Sequence, residues 1–263
     1  MKFKFKALLA SLALAAALPA NAAIDLSSTG NSSLVLTLID STANVSATFD
    51  LGINKNSFVQ STNQTFNITT GDYSTAWTSF VAAANMSRVQ YAVFAGDNVG
   101  SGAGARSLFT TGSTDPLTSV GTTAFGTSLS AFDTYLNANN QLSTNFSAAN
   151  GGSFASAAAG LANATDAAAY GGDAGKIGNF GADTNGLVGT NLNVYNILSG
   201  ANGLAQTSVT KLAIEGFNPY FNLTSAGELT YVAVAAVPEA DTSAMMLAGV
   251  GLMTFIARRR KAV

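Results

Sequence analysis

Apolar and polar positions alternate at period two near both ends of the long central body of this chain. Residues 34–39 (LVLTLI) form a short apolar, β-rich run, and residues 45–51 (VSATFDL) alternate apolar and polar. Ser41 and Asn44 lie between them in a polar turn, so the pair predicts a hairpin. Residues 64–69, 77–82 and 88–95 are further strand candidates, the last with Val89, Tyr91 and Val93 on one face, and 106–111 also looks β-like. Strand signals return at 208–214 and 228–234, with Asn218-Pro219 and Ala226-Gly227 as turns. The middle differs. Leu129, Phe132 and Leu136 stand three and four apart and predict a helix over 128–142, while alanine-rich 154–164 favours helix by propensity. Glycines at 171, 172, 175, 178, 181 and 186 then read as loop. The expected architecture is mainly β: an antiparallel β-sandwich or jelly-roll-like domain over residues 23–236, with a helical, Gly/Ala-rich insertion at about 123–190.

The two termini follow other rules. Lys2, Lys4 and Lys6 precede an apolar stretch at 7–18, and Ala20-Asn21-Ala22 is an A-x-A cleavage site, so residues 1–22 read as a secretory signal peptide cut after Ala22. At the other end, residues 242–257 carry no charge and are followed by Arg258, Arg259, Arg260 and Lys261. At about 1.5 Å per residue such a helix reaches roughly 24 Å, short for a bilayer core of about 30 Å. It is expected to cross with local thinning and with its arginines at the interface. Positive flanks at both ends place both on the cytoplasmic side and the body between them outside.

Just before the apolar stretch stand Val237, Pro238 and Glu239. The run VPEADTSAMMLAGVGLMTFIARRRK over 237–261 resembles the PEP-CTERM sorting signal, in which a Pro-Glu-Pro box precedes a short apolar helix and an arginine-rich end. Pro238 and Glu239 fill the first two box positions, and Ala240 replaces the usual second proline. The resemblance implies an exosortase substrate, held transiently in the inner membrane by residues 237–263 and cut near the box by an exosortase-like membrane protease. It further implies signal peptidase and the secretion machinery as partners, a final location at the cell surface or outside a bacterial cell, and a link to exopolysaccharide and biofilm. A plainly membrane-anchored periplasmic protein is the alternative for the tail.

Charge alters the picture once the ends are set aside. Seven of the 12 Lys and Arg lie in the two terminal signals, against two of the 14 acidic residues, so the body carries five cations and a net charge of −7. So few, scattered cations exclude nucleic acid as a partner. The chain contains no Cys and no His. The exported body must therefore be held by its core without disulfides, and Ser-His-Asp, Cys-His and His-ligated zinc chemistry are absent.

Remaining candidate sites are weak. Gly100-Ser101-Gly102-Ala103-Gly104-Ala105 satisfies a relaxed dinucleotide fingerprint formally, but no helix is predicted to open behind it, so it reads as a flexible loop. Asp183-Thr184-Asn185-Gly186, with Asp173, offers oxygens to calcium but lacks the remaining ligands of a calcium loop. Trp77, Tyr73, Tyr91, Tyr220 and Phe221 are sugar-stacking candidates whose simpler role is core packing. Sequons at Asn44, Asn63, Asn67, Asn145 and Asn222 indicate a polar surface open to glycan. The expectation is a non-catalytic surface or extracellular-matrix protein with no cofactor, metal or catalytic residues. A secreted polysaccharide hydrolase or a carbohydrate-binding module is the alternative.

Overall fold

Strands β1 (Ser33–Asp40) and β2 (Val45–Asn54) form the expected hairpin. Its turn is made locally. Asp40 Oδ1 accepts the Thr42 and Ala43 N–H groups at 3.0 and 3.1 Å, and Asn44 takes the left-handed conformation (φ 52°) that asparagine tolerates. A computed structural model describes residues 23–146, 148, 150–156 and 184–234. The other strands are β3 (Gln64–Asn67), β4 (Gln90–Asp97), β5 (Ser107–Gly112), β6 (Gly152–Ser156), β7 (Gly186–Leu187), β8 (Asn191–Leu198), β9 (Ser208–Lys211), β10 (Tyr220–Leu223) and β11 (Glu228–Val232).

These strands form one antiparallel sheet in the order β3-β11-β10-β8-β5-β4-β1-β2-β6, with β7 also beside β4 and β9 also beside β8. The mainly β, antiparallel expectation is met. The division into two packed sheets is not, because a single sheet curled into a half-barrel buries its own inner face. Phe49 and Leu51 of β2 share one apolar cluster with Leu229 and Tyr231 of β11, from near the opposite end of the strand order. Burial on this scale is the main favourable contribution to folding in a chain without disulfides.

Two helices complete the body. Helix α1 (Ser74–Ala83) buries Ala76 and Phe80, one turn apart, and packs against both β2 and β6. The predicted strand at 77–82 lies inside it. A 3-10 turn over Gly71–Tyr73 leads into the helix, and the four-residue spacing of Ala76 and Phe80 suits a single apolar side. Trp77 reaches from α1 to the β10–β11 turn, where Gly227 takes φ +82° and a Cβ would stand 3.0 Å from the indole. Only glycine satisfies both demands.

Helix α2 (Thr122–Asn139) covers the outer face of the sheet, burying Phe125, Leu129, Phe132 and Leu136 with Val35, Phe94, Leu108 and Ile197. Phe94 and Phe132 meet edge to face at 4.9 Å. The helix begins six residues before the predicted start. Its first turn is tied down by a distant loop, through Thr122 N–H to the Ala205 carbonyl and Thr123 N–H to the Gly203 carbonyl at 2.9 and 3.1 Å. Where helix was expected from residue 154, the chain instead forms β6, paired with β2, and residues 157–183 lie outside the described set.

Candidate functional site

The body is clasped at the point where the chain leaves it. Strand β11 is held between β10 and β3, and Tyr231 donates its hydroxyl to the Gln60 carbonyl at 2.7 Å. One turn of loop further, Asn63 Oδ1 accepts the N–H groups of Ala233 (2.8 Å) and Val234 (3.4 Å). Ala233 is fully buried. The described fold thus extends to Val234, and Pro238 and Glu239 follow four and five residues later.

A second feature is a cavity of about 730 Å³ between the β4–β5 loop, the β8–β9 loop and the start of α2. The first of these loops turns through Gly100, Gly102 and Gly104, all at positive φ. Ser199, buried after β8, ties the two loops together. Its hydroxyl donates to the Gly102 carbonyl at 2.7 Å and accepts the Arg106 N–H at 3.1 Å, while its carbonyl accepts the Gly104 N–H at 2.8 Å. Thr122 joins the helix to the same framework, since its hydroxyl accepts the Gly200 N–H at 2.7 Å and donates to the Ala205 carbonyl at 2.9 Å. Loops cross-linked in this way make a preformed wall.

Several sequence candidates resolve differently. The stretch 100–105 joins two antiparallel strands, so no helix opens behind it and the dinucleotide fingerprint is formal only. Tyr91 and Phe221 are buried in the inner core, and Trp77 and Tyr73 pack against it, as the packing reading expected. Tyr220 is half-buried beside Phe217. Asn145 is not an open acceptor, whereas Asn63 is exposed and engages only its Oδ1. Asn145 is buried and donates to Ser153 at 3.0 Å, and Asn63 clasps the strand end through its oxygen. Asp173 and Asp183, the alanine-rich stretch from residue 157 on, Ala20, Ala22, Val237, Pro238, Glu239, Arg258, Arg259 and Arg260 all lie outside the described residues, as does 242–257. Among the described residues no helix is long and apolar enough to cross a membrane, and no group of three His, Cys, Asp or Glu side chains is placed to hold a metal ion.

Two carboxylates on the first hairpin are perturbed in opposite directions. Burial would raise the Asp40 carboxyl, but the N–H groups of Asn85 and Ala43 and the Arg88 guanidinium at 3.1 Å outweigh it and hold the group below its ordinary value. At Asp50 burial prevails and lifts the carboxyl to about 6, despite hydrogen bonds from Gly52 N–H at 2.9 Å and Ser33 Oγ at 3.2 Å, with the Asp25 charge adding to the rise. Asp50 does not line the cavity. Burial likewise raises Tyr195, to about 12, beside Asp115.

Residues 236–261 match the PEP-CTERM protein-sorting motif, beginning two residues beyond Val234. No curated protein and no solved structure matches the chain. A PEP-CTERM signal marks an exported protein sorted by exosortase, a membrane protease, toward the cell envelope or surface.

Proposed function

We propose that this chain is a non-catalytic protein of the cell surface or extracellular matrix, made as a precursor that its C-terminal helix holds in the inner membrane until exosortase removes the tail. The observation that carries the reading is the sorting motif at 236–261, set directly behind a folded strand. The secretory leader over 1–22 supplies the matching entry to the export route. A non-catalytic role is supported by a chain with no His or Cys, and by a cavity whose lining includes no carboxylate. Association with exopolysaccharide and biofilm belongs to the same proposal and rests on the resemblance of the tail.

The test is the intact mass of the protein recovered from its native host, with membrane and medium fractions kept apart. Loss of residues 1–22 and of everything beyond about Pro238 is the expected result. A chain cut only at its N-terminus and found wholly in the membrane would make the tail a plain anchor.

A further inference from the structure

The inter-loop cavity has a lining with a definite hydrogen-bonding polarity. Arg106 is its cation. The side chain donates Nε–H to the Gly100 carbonyl at 3.0 Å, and its Nη1 lies so close to α2 that a Cβ on Gly126 would stand 2.3 Å away. Glycine at 126 therefore lets the guanidinium rest against the helix. Among the described body cations, Arg88 and Lys211 are paired with Asp40 and Asp115 at 3.1 and 2.6 Å, whereas Arg106, like Lys55, forms no ion pair among the described residues.

The hydroxyls on the helix wall have their protons engaged. Thr123 donates to the Gly203 carbonyl at 3.0 Å, Thr127 to the Thr123 carbonyl at 3.1 Å and Ser130 to the Gly126 carbonyl at 3.0 Å, Ser130 also accepting the Asn98 Nδ2–H at 3.3 Å, which leaves it one lone pair. What such oxygens have left to offer is lone pairs. The wall thus accepts hydrogen bonds from a ligand, while the guanidinium donates them. The first two amides of α2 are consumed by the loop carbonyls of Ala205 and Gly203 and are not offered to a ligand. One positive charge in a body of net charge −7 suits a monoanion better than a phosphate dianion. The planar fork of arginine fits a carboxylate, and no aromatic ring lines the cavity for stacking.

We propose that this cavity binds a polyhydroxylated carboxylate, the chemical class of a hexuronic acid: its carboxylate on Arg106 and its hydroxyls donating to Thr123, Thr127 and Ser130. The volume, about 730 Å³, falls within the usual range of small-ligand sites. The proposal stands apart from the sorting signal, and the fate of the tail does not bear on it.

The experiment is calorimetric titration of the full-length chain, purified in detergent at low ionic strength, with glucuronate, glucose and inorganic phosphate. Glucuronate should bind at least about tenfold more tightly than either of the others, and Arg106→Gln should weaken it by at least about tenfold, as expected for a charge-assisted hydrogen bond. Gly126→Ala keeps the charge but pushes the guanidinium from its seat, and should also weaken glucuronate. Thr127→Val removes one acceptor and leaves the charge in place, and should cost several-fold, which keeps the test open should Arg106→Gln fail to fold. No detectable glucuronate binding, equal binding of glucose or phosphate, or unchanged affinity in Arg106→Gln or, in its place, Thr127→Val would overturn the proposal.

Discussion

Asn63 and Ala233 are 170 residues apart in sequence and joined by a 2.8 Å hydrogen bond, from the Ala233 N–H to the asparagine Oδ1. The same oxygen takes the Val234 N–H, so one side chain serves the last two described amides of the body. Asn63→Ala should lower stability by about 1–2 kcal/mol, the usual effect of leaving a buried amide without its partner. Denaturant unfolding read by the single tryptophan measures the total. Hydrogen exchange at 233 and 234 should rise more than at Leu229. Equal protection in both proteins would show that the clasp does not hold the strand end.

Gly227→Ala should be costlier. The new Cβ would stand 2.4 Å from Thr69 Cγ2 and 3.0 Å from the Trp77 ring, at a φ of +82° that alanine adopts poorly. We expect a loss of about 2–4 kcal/mol, combining overpacking with backbone strain, and a shifted Trp77 emission in the folded protein. An unchanged unfolding midpoint would contradict the packing of α1 against the β10–β11 turn.

Asp40 and Asp50 predict opposite pH slopes. Asp50 is raised from 3.8 to about 6, so the stability it contributes is complete below the unfolded value and is lost as pH rises through about 6. Asp40 is lowered, so its contribution is present above 3.8 and is lost as pH falls through the depressed folded value. Urea midpoints between about pH 3 and 8 should show that Asp50→Asn flattens the fall between roughly pH 4 and 6, by at most about 3 kcal/mol. Asp40→Asn should instead flatten the acid side. A variant profile parallel to that of the parent at either position would refute the assignment.

Replacing Pro238 and Glu239 together by alanine should leave export intact and block tail removal. Proline disfavours helix at its own position and at the residue before it, and Glu239 puts a negative charge ahead of the charge-free stretch at 242–257. Mass spectrometry of the exported protein decides, because mature chain of unchanged mass in the variant would rule out a role for these two residues in processing.

Much of the sheet was legible because β1, β2, β4 and β11 carry their apolar residues in runs or at period two. Strand β8 was missed although N-L-N-V-Y-N-I-L largely alternates. It follows a long glycine-rich stretch that reads as loop, and both Val194 and Tyr195 are buried, on opposite faces, which blurs the pattern. The short β10 was hidden behind Asn218-Pro219 in the same way. Helix α1 read as strand because Trp, Phe and Val favour strands locally, while its helical form depends on closing a half-barrel that no local window contains. The cavity left almost no trace. Its walls come from 98–106, 122–130 and 199–203, brought together by the sheet, and only the glycines at 100–104 hinted at a loop. The clasp made by Asn63 left no trace for a similar reason, since its partner is at the far end of the chain.

The position of β11 also bears on the order in which the molecule is assembled. It fills the place between β10 and β3, yet it is the last strand before the sorting motif. A chain crossing a membrane from its N-terminus therefore exposes the unpaired edges of β3 and β10 until nearly all of it has emerged, and such edges invite pairing with another molecule. The long loop to be closed makes this pairing a late step. If the tail anchors the precursor as proposed, each molecule would finish its own sheet beside its own anchor, apart from neighbours diffusing in the medium. Such a tether would act as a folding chaperone in cis, and a tail cut too early would yield intermolecular strand exchange where a delayed cut yields monomers.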